Sequence, residues 1–145
     1  MAAGGDTRTL LGIDYGARRI GVAKSDPTGL IATALTTLVV KSAADALAQV
    51  AALIREHQPA GIVIGSPVGL SGESNRKCLE IEAFANALRT VFDGPIHLWD
   101  EGYSSVEAAD IIHAHGKRVG KDKKRIDRLA AVIILQRFLD EQPER

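Results

Sequence analysis

The stretch Leu10–Ala23 reads LLGIDYGARRIGVA and decides the fold of the chain. Two apolar runs, 10–13 and 20–23, flank six turn-forming and charged residues, a pattern that predicts an antiparallel β-hairpin. We expect Gly16 to take the positive φ of a tight reversal, since glycine has no Cβ. Asp14 falls where the first strand stops, so its carboxylate is well placed to hold a metal ion against a phosphate. The alternative is that Asp14 is only a turn residue, because Asp is enriched in turns.

Outward from the hairpin, the hydrophobic pattern alternates between strand and helix periods. The predicted elements are a strand at 33–40, a helix from a Ser42 cap to about 57, a strand at 62–65, a helix at 75–92, a strand at 96–99, a helix from Ser104 or Ser105 to about His115, and a last helix from about 125 to 141. This order predicts an α/β protein with a mixed five-stranded sheet, three antiparallel strands being followed by parallel ones. RNase H-like folds have this order, which brings the ends of strands one, four and five to one edge.

Composition places the chain among single-domain soluble proteins. Its 145 residues are 46% apolar and 25% charged, which suits one domain at 9–141 after a flexible tail at 1–8. The formal net charge is zero, so the protein is not basic all over, although a local basic patch is compatible with it. The single cysteine, Cys78, excludes an internal disulfide and favours a cytoplasmic location. We expect no membrane association, because no apolar run approaches the roughly 18 residues that span a bilayer.

Three acids fall at the ends of predicted elements. Asp14 ends strand one, Glu101 follows strand five, and Asp127 lies in the first turn of the last helix. Crowded carboxylates repel unless a cation offsets the repulsion, and hard oxygen ligands suit Mg²⁺ or Mn²⁺. We therefore predict a catalytic metal site of Asp14, Glu101 and Asp127. Each acid also has a structural alternative, because Glu101 could be a loop charge and Asp127 could favour the positive end of the helix dipole.

Basic residues adjoin two of these acids. The predicted nucleic-acid-binding residues are Arg18, Arg19, Lys117, Arg118, Lys121, Lys123, Lys124 and Arg125. In a chain of zero net charge they form concentrated positive patches, which contact phosphates without reading sequence. The alternative is a solvated loop. Aromatic residues that could stack on bases near this edge are few, namely Tyr15, Tyr103 and Trp99, so extensive base stacking is not expected.

Four segments together resemble the YqgF/RuvX family, whose members are named pre-16S rRNA nucleases. They read GIDYGARRIGVA (12–23), GSPVGLSGES (65–74), WDEGYSSVEA (99–108) and KKRIDRLAAVIILQRFLD (123–140). The resemblance implies an RNase H-like fold related to Holliday junction resolvases, and it places the family's three acids at Asp14, Glu101 and Asp127. One departure is clear: Gly102 stands where the family usually has an arginine, which puts the grip on the substrate in doubt. Arg18, Arg19 or the loop at 117–124 would have to compensate.

The residues and the resemblance favour a metal-dependent endonuclease, a hydrolase that cleaves RNA phosphodiester bonds. Its expected substrate is a ribosomal RNA precursor, cut at the 5′ end of pre-16S rRNA during ribosome biogenesis. A Holliday junction resolvase acting on branched DNA is the nearest alternative, and symmetric cutting would favour a homodimer. A non-catalytic RNA-binding assembly factor is an alternative from another class. A nucleotide-binding phosphotransferase is disfavoured, because the chain is too short for two phosphate loops in two lobes and has no G-x-x-x-x-G-K-[ST] loop.

Overall fold

The structure, a computed structural model, describes residues 9–66, 72–100 and 123–141. Its elements are β1 (Leu10–Asp14), β2 (Arg19–Ser25), β3 (Ala32–Val39), α1 (Ala43–His57), β4 (Gly61–Ser66), α2 (Gly72–Leu88), β5 (Ile96–Asp100) and α3 (Lys123–Glu141). The predicted tail at 1–8, Glu101, the predicted helix that ends at His115, and the basic residues Lys117, Arg118 and Lys121 lie outside the described residues. None of the described helices has the length and apolarity that crossing a bilayer requires.

The strands form one mixed sheet in the order β3-β2-β1-β4-β5. The hairpin pairs β1 with β2 antiparallel, and β3 extends it on the outer side of β2. On the other side of β1, the strands β4 and β5 run parallel to it and to each other. The predicted mixed sheet is thus confirmed, and the carboxyl ends of β1, β4 and β5 share one edge. Ligands of open α/β sheets gather at such an edge.

Helices cover both faces of this sheet because its central strands are apolar on both sides. In β1, Leu11 and Ile13 are fully buried in a core shared with α1 and α2. In β4, Ile62 and Ile64 join that core, whereas Val63 joins a second core with α3. Strand side chains alternate between faces, so an unbroken apolar run such as 62–64 is buried on both faces of the sheet.

The helix α3 lies unusually close to the hairpin because glycines face it. A Cβ on Gly12 would stand 2.6 Å from the Cβ of Leu135, and a Cβ on Gly21 would overlap the carbonyl group of Asp127. Gly12 and Gly21 both lie on the α3 side of the sheet, and any larger residue there would push the helix away. The Gly-containing apolar runs of the hairpin therefore set the distance at which α3 packs.

Three local predictions need correction. Gly16 does not have a positive φ; among the described glycines only Gly29 does, at 76°. Gly16 is required for space instead, since a Cβ there would lie 2.6 Å from the carbonyl oxygen of Arg19. The helix α2 spans 72–88 rather than 75–92. The helix α3 begins at Lys123 rather than about 125, so Asp127 is past its first turn. The dipole alternative for Asp127 weakens accordingly, because that effect fades within the first turn.

Candidate functional site

A cleft of about 320 Å³ opens at the carboxyl end of β1. Three sections of the chain form its walls: the turn between β1 and β2, the second turn of α2, and the amino-terminal half of α3. The lining residues are Asp14, Tyr15, Gly16, Ala17, Arg18, Arg19, Lys77 and Asp127. The structure thus brings together two of the three predicted acids, both arginines of the hairpin, and one lysine that the sequence analysis did not single out.

Asp14 is the last residue of β1 and points towards α3. Side chains alternate along a strand, so Asp14 shares the face of Gly12, which contacts α3 directly. Burial raises the pKa of Asp14 to about 6; the positive charge of Lys77 lowers this pKa, and the negative charge of Asp127 raises it. The ionised carboxylate is therefore costly in this position without a further positive charge, which separates Asp14 from an ordinary turn aspartate.

Asp127 reaches the same cleft because of the close approach at Gly21. In the β1–β2 ladder Gly21 is the direct partner of Asp14. The main chain of Asp127 occupies the space that a side chain on Gly21 would need. The helix α3 therefore places Asp127 beside the strand residue that pairs with Asp14. Two acids that are 113 positions apart in the sequence therefore face one cleft.

The amino-terminal half of α3 is also attached to β3. The hydroxyl of Thr37 donates a hydrogen bond of 2.6 Å to the carbonyl oxygen of Lys124, and Arg128 Nη1 donates one of 3.5 Å to the Thr37 hydroxyl. Thr37 pairs with Gly21 in the β2–β3 ladder, so these bonds form beside the close approach. They fix the position of α3 next to Asp127.

Arg19 forms an ion pair with Asp127. Its Nε donates a hydrogen bond of 2.6 Å to Oδ2 of Asp127, and the two side chains are 36% and 18% exposed. Charge-assisted bonds of this length are the stronger kind, and the pair fixes the orientation of the carboxylate. Arg18, next to it, is exposed. The role predicted for both arginines in nucleic-acid binding stays a prediction, but one of them has a structural partner in the cleft.

This ion pair leads to a prediction about stability. Replacing Arg19 with methionine is expected to lower the free energy of unfolding by about 1 kcal/mol, because a partly exposed pair is worth less than a buried one. Urea denaturation in the absence of metal measures the change. Arg18→Met removes the same charge from the same cleft and is the matched control, expected to stay within about 0.5 kcal/mol of the wild type. A double-mutant cycle with Asp127→Asn that shows no coupling between Arg19 and Asp127 would contradict the prediction.

Lys77 is the cleft residue that the sequence analysis missed. It lies on α2 one turn before Ile81, and the buried residues of the described part of that helix, 76–88, are Ile81, Phe84, Ala85 and Leu88. Helical spacing therefore puts Lys77 on the inward face. A lysine at an inward-facing position is the signal that could have identified it. Its neighbour Arg76 is exposed, whereas Lys77 is partly buried.

Two aromatic residues considered for base stacking are occupied in the protein core. Tyr15 is 8% exposed and packs against Phe84, with ring centroids 4.5 Å apart. Trp99 packs edge-to-face against Phe138 at 5.4 Å. Tyr15 is buried and Trp99 is partly buried, so both rings already take part in intramolecular packing, and Tyr103 lies outside the described residues. The predicted scarcity of stacking residues is therefore greater than the sequence suggested.

The other predicted site residues divide into two groups. Lys124 and Arg125 are exposed at the beginning of α3, close in sequence to Asp127. Glu101, Lys117, Arg118, Lys121 and the side chain of Lys123 are outside the described part of the structure. Within residues 9–66, 72–100 and 123–141 no group of three or more metal-ligating side chains occurs, so the described cleft contributes two carboxylates. Mg²⁺ commonly binds through one or two carboxylates and completes its shell with waters and substrate phosphates.

Comparison with known proteins places the chain in a family. Residues 8–141 match the sequence profile of RuvX, described as Holliday junction resolvase. The chain belongs to the RuvX family. A relative from Koribacter versatilis, named "Putative pre-16S rRNA nuclease", is 39% identical over 131 residues, which cover 90% of this chain and 86% of the relative. A relative of the same name from Chloroflexus aggregans is 40% identical over 133 residues, or 92% and 94% of the two chains. The resemblance seen in the four sequence segments is thus confirmed.

A solved structure supports the fold of this RuvX-family chain. RuvC of T. thermophilus, in complex with a Holliday junction substrate, superposes with a TM-score of 0.61. The match covers 90% of this chain and 93% of RuvC at 15% identity. At that identity the likeness shows the fold alone, and it confirms the RNase H-like class predicted from the order of the elements. As a member of a nuclease family, the chain is a hydrolase of phosphodiester bonds.

Proposed function

We propose that this RuvX-family chain is a metal-dependent endonuclease that cleaves RNA, and that its substrate is the 5′ region of pre-16S ribosomal RNA. The observation that carries the proposal is the pairing of Asp14 and Asp127 in one cleft lined by basic residues, at the sheet edge where α/β proteins bind ligands. The names of the relatives supply the choice of RNA. A ribosomal precursor as substrate also supports a cytoplasmic location.

The residues of the cleft fit a divalent cation, Mg²⁺ or Mn²⁺. Burial and the neighbouring Asp127 make the ionised form of Asp14 unfavourable, and a bound cation would offset that cost. Carboxylate oxygens are the ligands that these hard ions prefer. We assign Asp14 and Asp127 as ligands, with Glu101 as the third acid. When bound, the metal activates a water for attack on the phosphate and stabilises the leaving oxygen.

The protein's own residues have three tasks in this proposal. Asp14, at the end of a buried strand, holds a carboxylate at a fixed point of the cleft. Arg19 orients the Asp127 carboxylate through the 2.6 Å bond. Arg18 lines the cleft, and the exposed Lys124 and Arg125 precede Asp127 closely in the sequence; positive charge of this kind attracts the phosphates of a nucleic acid. Tyr15 packs against Phe84 and Trp99 packs against Phe138, which leaves few rings for base recognition and favours binding through the backbone of the substrate.

Resolution of four-way DNA junctions is the second candidate. The description of the RuvX profile and the junction-bound RuvC structure favour it. The same two acids and the same metal would serve, since the chemistry at the phosphate does not depend on the sugar. Symmetric cutting of a junction requires a two-fold dimer, so this candidate adds a homodimer to the proposal. A non-catalytic RNA-binding assembly factor would bind RNA without cutting either substrate.

A cleavage panel with Mn²⁺ tests the proposed function. The substrates are single-stranded RNA, a fragment spanning the 5′ end of pre-16S rRNA, and a four-way DNA junction. We expect cutting of the rRNA fragment and complete loss of cutting in EDTA, because the water-activating ion is removed. Symmetric cutting of the junction alone, by a protein that sediments as a dimer, would support the resolvase instead. Binding of the rRNA fragment without cleavage in either metal would contradict both nucleases.

A further inference from the structure

Lys77 differs from an ordinary surface lysine because it is partly buried and faces a cleft. It lines the cleft together with Asp14 and Asp127, on the inward face of α2. Lysine ammonium groups are strongly hydrated and are almost never fully buried unless they are paired, and Lys77 is partly buried. Among the residues that the structure describes, however, Lys77 has no hydrogen-bond or ion-pair partner. Its position therefore brings a positive charge to the acids without giving that charge a fixed partner.

Lys77 has no dedicated counter-charge among the described charged residues of the cleft. Arg19 is already committed to Asp127 through its 2.6 Å bond. Lys77 is the basic group whose charge acts on Asp14. Once a divalent cation binds Asp14, the carboxylate no longer offsets the charge of Lys77. The loaded cleft then carries an excess of positive charge, which only an anion can balance.

We propose that Lys77 is a substrate-binding residue whose ammonium group contacts a phosphate of the nucleic acid held in this cleft. The inference rests on the proposed function and goes beyond it, because it adds to the three acids a basic residue from a different helix. Lysine binds phosphate as a point charge and needs no fixed fork geometry.

The competing explanation is that Lys77 merely neutralises Asp14 in the metal-free protein. Both explanations predict tighter Mn²⁺ binding by Lys77→Met in the absence of RNA, since a cation beside the metal site is removed. They differ in the affinity for RNA. If Lys77 binds phosphate, Lys77→Met weakens RNA binding; if Lys77 only neutralises Asp14, RNA affinity at saturating Mn²⁺ does not fall. Methionine keeps most of the length and packing of the lysine stem, so the variant tests the charge.

The experiment compares four proteins: the wild type, Lys77→Met, Lys77→Arg and Arg76→Met. Cleavage of the rRNA fragment in Mn²⁺ is expected to lose about 10- to 100-fold in kcat/KM in Lys77→Met, mostly through KM, as for a lost bond to a charged group. The dependence of log(kcat/KM) on log[salt] should become shallower by about 0.7. Lys77→Arg should retain most of the activity. Arg76→Met removes the same charge from the exposed neighbour and should change neither quantity by a comparable amount.

Several results would overturn the assignment of Lys77. Equal losses in Lys77→Met and Arg76→Met would show a diffuse field instead of a contact in the cleft, and unchanged kinetics in Lys77→Met would show no contact. Weaker Mn²⁺ binding by calorimetry without RNA would assign Lys77 a structural role, and urea midpoints report any loss of folding. If the wild type cuts nothing, the proposed function fails. Fluorescence anisotropy with labelled RNA and labelled junction then decides on Lys77, and unchanged affinity in Lys77→Met overturns it.

Discussion

Replacing Asp14 with asparagine is expected to abolish cleavage and to stabilise the metal-free protein. The amide keeps the size of the side chain but removes the charge that a metal ion requires. When the transition state loses metal-dependent stabilisation of several kcal/mol, kcat falls by about 1000-fold or more. RNA binding should persist in large part, because the basic residues of the cleft are unchanged. Steady-state cleavage in Mn²⁺ and anisotropy with the same RNA measure the two effects.

The gain in stability follows from the raised pKa of Asp14. Its value of about 6 in the folded chain lies above the ordinary 3.8, so the folded state binds more protons than the unfolded state between these two values. Stability of the metal-free wild type should therefore fall as pH rises from about 4 to 6, by up to about 3 kcal/mol. In Asp14→Asn the side chain does not titrate, so this fall in stability with pH should not occur. Its Tm at pH 7.5 in EDTA should exceed that of the wild type by several degrees, and the two Tm values should converge towards pH 4.

Asp93→Asn is the matched control for this prediction. Asp93 is exposed in the connection between α2 and β5, at the amino end of that strand and therefore at the edge of the sheet opposite to the cleft. The same chemical change at the opposite edge of the sheet should alter neither cleavage nor the pH dependence of Tm. Cleavage by Asp14→Asn at the wild-type rate would remove Asp14 from the site. A lower Tm in EDTA than the wild type would show that burial does not disfavour the ionised carboxylate.

Gly21→Ala is expected to have the largest effect on folding. The added methyl group would overlap the carbonyl group of Asp127, which is helix backbone and has no alternative rotamer. Overpacking usually costs about 1–3 kcal/mol, and a clash with rigid backbone belongs at or above the upper end of that range. The helix must shift away from β2, which also moves Asp127 relative to Asp14. We expect a loss of about 3 kcal/mol or more in urea denaturation, together with weaker Mn²⁺ binding.

Gly61→Ala tests whether the effect arises from the clash or from glycine in a strand. Gly61 is also buried in the sheet, at the beginning of β4, but the nearest atom to its added Cβ would be Cδ2 of Leu10, at 3.1 Å. A flexible side chain can move by the few tenths of an ångström required. The expected change is within about 1 kcal/mol, since alanine also reduces the entropy of the unfolded chain. Similar losses in both variants would contradict the role assigned to Gly21.

The order of strands and helices could be predicted because each element carries its own local pattern. The apolar runs at 10–13 and 20–23, the buried run at 62–64 and the helical period of 43–57 are readable without knowing their neighbours. The edge at which Asp14 lies also followed, since parallel strands end on the same side. The ends of α2 and α3 were less well predicted, because several residues at a helix end satisfy the same preferences.

The roles of the residues in the β1–β2 turn depend on steric contacts, which sequence patterns do not report. Gly16 was expected to be needed for its backbone conformation, yet the structure requires it for the room it leaves beside the Arg19 carbonyl. Tyr15 was considered for base stacking because it follows Asp14, but the alternation of strand side chains turns it into the core against Phe84. Both outcomes depend on contacts with residues that packing brings near.

By itself, the sequence determined the RNase H-like order of elements, the candidate acids and the family. Only the tertiary structure decided that Asp127 is paired with Arg19, that Gly21 sets the approach of α3, and that Lys77 completes the wall of the cleft. The physical reason is the range of the interactions. Periodicity and turn preference act within a few residues and are written locally. The charges around Asp14 come from a hairpin and two helices that are distant in the chain, and their balance exists only once the sheet has brought them together.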